Sequence, residues 1–168
     1  MKKFGPKGMK VMKTVHLLLI MMWTVGVMGI VTLMSGPFSS NEETAVTLAD
    51  ALKLDYYLVI PGALLCVAMG IVYGIFTNWG FFKYRWLTVK WIASIAIILA
   101  GSLIFHPLCV EALELAESDT PGNTAEISRM IVECQVINWI QVVAQIMLVA
   151  ISVFKPWKRK VNVIRKAV

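Results

Sequence analysis

Few side chains in this sequence have chemistry beyond packing. There are two histidines, His16 and His106, and three cysteines, Cys66, Cys109 and Cys134. His16 stands in an uncharged apolar run at 14–34, and Lys90 is the one charge in another at 87–106. A neutral imidazole is a common ligand for metal ions and for haem iron, and an ammonium buried beside it can pair a carboxylate or phosphate. Cys134, Asn138, Gln141 and Gln145 recur at i, i+4, i+7 and i+11, which places them on one helix face. The sequence has no CxxC, CxxCH, HExxH, phosphate loop or serine-hydrolase elbow.

The elements that must position these groups follow from composition. The chain has 168 residues, 58% hydrophobic and 15% charged, with a mean hydropathy of +0.74. A soluble domain carries about 25% charge, so a soluble globule is excluded. Eleven glycines, six prolines and three cysteines also exclude collagen, low-complexity disorder and a disulfide-packed scaffold. Four apolar stretches, at about 14–34, 56–76, 87–106 and 135–154, approach or reach the roughly 20 residues a membrane helix needs. Backbone in lipid must satisfy its own hydrogen bonds, so the expected fold is an all-α integral membrane bundle of four transmembrane helices in a single domain. A basic start and an apolar run resemble a signal peptide, but the run is about twice the usual length and carries His16, so an uncleaved first span is expected.

All ten acids fall in the 35–55 and 107–134 connections, while fourteen of the sixteen basic residues fall in the tails at 1–13 and 155–168 or around the short 77–86 connection. Positively charged short segments stay inside. Both termini are therefore expected in the cytoplasm, with the chain in an inner membrane. The net charge of +6 reads as a topology and lipid-headgroup signal, not as a nucleic-acid footprint. Short interfacial helices are expected at 44–54, where Ala45, Leu48, Ala49 and Leu52 recur with helical spacing, and at 109–117. Asp119-Thr-Pro-Gly-Asn reads as a turn, and Asn123 or Thr124 as the cap of a fourth helix that begins outside the membrane.

Polar groups inside a span are expensive and mark functional positions by default. His16 and Lys90 lie about one turn inside the same surface, whereas His106 lies at the opposite end of its span. The depth difference is on the order of 20 Å at 1.5 Å per residue. Two nitrogens on one iron stand ~4 Å apart, twice a metal–nitrogen bond of ~2 Å, so the two histidines do not share a haem. Each is a candidate metal ligand on its own. Two readings stay open for Lys90: it snorkels to the headgroups, or it pairs an anion beside His16. The amide face of the fourth span is interhelical hydrogen-bond glue or the lining of a ligand cavity. Cys109 and Cys134 flank the acidic connection and are candidates for a disulfide if their Cα atoms approach within about 7 Å.

Span one reads Lys13-x-x-His16-x6-Trp23-x-x-Gly26, span two has Pro61 and Gly70, and span three opens Trp86-Leu-Thr-Val-Lys90. In order and spacing these resemble the small four-span membrane proteins that include the HemJ-type protoporphyrinogen oxidase and the copper-resistance CopD domain. That resemblance implies haem b on His16 and a functional role for Lys90. The family's arginine-bearing segment after span one is absent, and His106 lies past its later histidine. The expected function is therefore haem b or porphyrin binding in membrane redox chemistry, with Trp23, Gln141 and Gln145 as further lining residues. The alternatives are a structural or accessory membrane subunit and a copper-handling protein using Met, His and Cys. Expected partners are the bilayer, a membrane redox partner or quinone, and a second copy of the chain. With no pair of acids inside the spans to relay protons, a transporter is disfavoured.

Overall fold

The computed structural model describes residues 5–36, 38, 40–77, 81, 84–118 and 122–155. The basic residues before Gly5 and beyond Lys155, Lys83, and the 119–121 part of the expected turn lie outside them. The helices are α1 (Pro6–Met34), α2 (Asn41–Leu54), α3 (Ile60–Phe76), α4 (Arg85–Ala100), α5 (His106–Glu117) and α6 (Thr124–Phe154). They form four rods, because α2 runs into α3 through a π turn at Asp55–Val59 and α4 runs into α5 through a second at Gly101–Phe105. All four rods are long and apolar enough to cross a membrane. The start of α1, the end of α3, the start of α4 and the end of α6 meet around one cavity, so consecutive rods run antiparallel. That is the basic end of the bundle; α2, α5 and the first turns of α6 form the acidic end.

The exposed faces are apolar. Leu17, Leu18, Met21 and Val25 on α1, and Ile140, Val143, Ile146 and Met147 on α6, are each more than half exposed. The amide-bearing face of α6, with Asn138, Gln141 and Gln145, is buried. This is the pattern of a bundle whose solvent is hydrocarbon.

The 44–54 and 109–117 segments are helical, but they are continuations of the membrane rods and not separate interfacial helices. Proline explains the join. Pro61 and Pro107 each stand two residues beyond the last π-turn residue, where a proline lacks an N–H and its ring collides with the carbonyl four residues back. Widening the helix accommodates both defects: the Ile60 N–H bonds to Asp55 O and the His106 N–H to Gly101 O, each five residues back. The α2 start is capped by Ser40, whose hydroxyl accepts from the Glu43 N–H at 3.2 Å, with Glu42 and Glu43 in the first turn. α6 begins at Thr124 as the sequence indicates, but the Asn123 side chain makes no capping bond.

Asp55 opens one π turn and His106 follows the other, and they are bonded, Asp55 Oδ2 to His106 Nδ1 at 3.0 Å. The sequence reading leaves Asp55 in an outer connection. It is instead only 3% exposed, inside the second rod, where the imidazole of the third rod provides its partner. Around this tie the acidic end is closely packed. Leu48 and Ala51 of α2 meet Cys109 and Ala112 of α5, all fully buried. Small residues allow that approach.

α1 and α3 also cross closely. A Cβ on Gly62 would lie 2.9 Å from the Trp23 backbone nitrogen, and one on Gly26 would lie 2.8 Å from a Val59 methyl. Trp23 is held in place by that backbone contact. Toward the basic end a cavity opens, lined by α1, α3, α4 and α6.

Two outcomes follow for thermal melting in detergent. Gly62→Val forces α1 from α3 and should destabilise the fold by about 1–3 kcal/mol, the usual cost of overpacking. His106→Ala leaves the Asp55 carboxyl without its partner and should cost about 1–3 kcal/mol. Wild-type melting temperatures would contradict the close crossing in the first case and the structural role of the tie in the second.

Candidate functional site

The cavity at the basic end has a volume of about 390 Å³, inside the range of small-ligand sites, about 300–1,000 Å³. Lys13 and Lys155 stand at its mouth, and Trp23 and Gln145 at its deep end. Trp23 is ten residues from Lys13 on α1 and Gln145 ten from Lys155 on α6. At 1.5 Å per residue the cavity thus extends about 15 Å along the bundle.

Its walls are aromatic. Tyr73, Trp86 and Trp91 line it. The His16 ring packs edge-on against Tyr73, with centroids 5.8 Å apart. Lys155, which ends α6 in the left-handed conformation at φ 45°, places its ammonium 5.9 Å from the Trp86 ring centroid. Gly70 leaves room for Trp91, since a Cβ there would lie 3.1 Å from the indole.

The polar groups divide into those with partners and those without. Lys90 Nζ donates to the Ser152 hydroxyl at 2.6 Å, and that hydroxyl donates to Leu148 O at 2.8 Å. Among the described residues no carboxylate pairs with Lys90. Its charge is near enough to act on both His16 and Cys66. His16 Nδ1, Trp23 Nε1 and both amide atoms of Gln145 are buried without a hydrogen-bond partner, and all three residues line the cavity. Other polar side chains among the described residues are bonded to backbone carbonyls. Asn138 donates to Cys134 O at 2.9 Å, and Gln135 donates to Met34 O. Buried polar atoms in native proteins are satisfied almost without exception, so four orphans on three residues that line one cavity mark it as a candidate ligand site.

Of the residues singled out from the sequence, His16, Trp23, Lys90 and Gln145 come together around this cavity. Gln141 does not line it; its amide packs against Gly101, where a Cβ would lie 3.6 Å from Nε2. His106 belongs to the tie with Asp55. Cys109 and Cys134 are fully buried free thiols, and Cys109 Sγ lies 4.0 Å from Leu48 O. Sequence reasoning missed Ser152, Tyr73 and Trp91 as lining residues. Ser152 has a signal in hindsight, since it lies seven residues, two turns, beyond Gln145 on the same α6 face. Among the described residues no three His, Cys, Asp or Glu side chains converge as a metal site.

Comparison with protein-family models, curated proteins and solved structures returned no match.

Cys66 lines the cavity, whereas Cys109 and Cys134 are sealed in the acidic-end core. A small apolar thiol reagent should therefore modify one cysteine per chain in mild detergent, identified by peptide mass spectrometry as Cys66. The other two should react only after unfolding. Equal labelling of all three in the folded protein would contradict this packing.

Proposed function

We propose that the protein binds a lipid-soluble, anionic cofactor in the basic-end cavity, with haem b or a related porphyrin as the leading occupant, and works in membrane redox chemistry. The basic end faces the cytoplasm of an inner membrane in this reading, as the distribution of Lys and Arg indicates. The observation that carries it is the His16 imidazole, whose Nδ1 is buried and unpartnered beside a cavity with aromatic walls. One imidazole would be enough to hold haem, because the porphyrin nitrogens already bind the iron. Lys13, Lys90 and Lys155 offer cations for carboxylates at or near the mouth. When bound, haem supplies one-electron chemistry. The chain's own residues would hold it: His16 at the metal, Trp86 and Trp91 against the ring, the lysines at the acids.

An absorption spectrum tests this. Protein purified from membranes, or supplemented with haem, should show a Soret band that His16→Ala removes or shifts, while Lys90→Met weakens haem retention. A colourless preparation after haem supplementation would overturn the haem reading.

A further inference from the structure

Trp23 and Gln145 are left over by that reading. Each is 5% exposed, they stand on different helices lining the same cavity, and between them two donor nitrogens and one carbonyl acceptor have no partner. Each such orphan costs about 1–3 kcal/mol if nothing fills it. An acyl chain entering the cavity satisfies none of them. A haem whose carboxylates lie at the lysines turns its apolar edge toward them. A flat molecule with oxygen on its leading edge would satisfy them.

We propose that the deep end of the cavity seats the ring of a quinone, with Trp23 and the Gln145 amide hydrogen-bonded to a ring oxygen. The donor inventory fits both oxidation states. A quinone carbonyl accepts from Trp23 Nε1–H and Gln145 Nε2–H. A quinol hydroxyl donates to Gln145 Oε1 and still accepts from the indole. An amide can serve both forms without gaining or losing a proton, which suits a site away from bulk water. The route for an isoprenoid tail is also present. Leu17, Val149 and Val153 line the cavity and are themselves 60%, 46% and 69% exposed on the outer face, so the tail can leave among lipid chains. This inference rests on reading the cavity as a redox-ligand site, but not on haem as its occupant.

The test titrates the purified full chain with a short-chain benzoquinone and a short-chain naphthoquinone, read by calorimetry, alongside haem read by its Soret band. The wild type should bind at least one quinone. Gln145→Leu and Trp23→Phe should each weaken it about tenfold, the order of one buried hydrogen bond, while leaving haem binding unchanged. His16→Ala should do the reverse. The two substitutions lie on different helices, so a folding defect in one leaves the other decisive. No quinone binding by the wild type, or affinities within twofold of it in both variants, would overturn the proposal. Quinone binding without any Soret band would sustain it while the haem reading falls.

Discussion

An apolar bundle in an apolar solvent has little hydrophobic force to hold its helices together, so the placement of its few polar groups governs the rest. In this protein they are placed unequally. At the acidic end the strongest of them is spent internally, in the bond between Asp55 and His106 that ties two π turns together. Around it α2 and α5 close against each other, with Ala51, Cys109 and Ala112 fully buried. At the basic end a cavity lies between the rods, and three of the residues lining it carry buried polar atoms without partners.

The proline-driven π turns link these halves. Each inserts one residue into its rod, which turns the following segment by about 100° relative to an unbroken α-helix. That rotation lets one rod present Asp55 to its neighbour in one half and the cavity-lining Cys66, Gly70 and Tyr73 in the other. The close crossing at Gly26 and Gly62 fixes α1 relative to α3 and with it the position of Trp23. The deep wall of the cavity is thus set by backbone contact, a stiff support for a hydrogen-bond donor.

Much of this was legible from the sequence where the signal was periodic. The four spans, the inward amide face of α6 and the start of α6 at Thr124 follow from spacing alone. His16 and Lys90 read as neighbours because both lie one turn from the same surface. What spacing does not carry is a change of helix type. A proline in a span marks a bend but does not say that the helix widens before it, and so the outer segments read as separate helices. Asp55 was misplaced for a related reason: a carboxyl at the edge of an apolar run looks like a surface residue until its partner, 51 residues away, is seen beside it. Gln141 and Gln145 are equivalent in sequence, and only the structure shows that one packs on Gly101 while the other lines the cavity.

The central claim is that the basic-end cavity exists to hold a ligand whose polar atoms complete those of His16, Trp23 and Gln145. A high-resolution density map of the protein extracted gently from its own membrane tests this most directly. The account predicts compact, planar density within the cavity, with polar atoms in hydrogen-bond or bonding distance of these side chains. A cavity filled only by disordered acyl chain, or collapsed so that the three side chains bond one another, would contradict it.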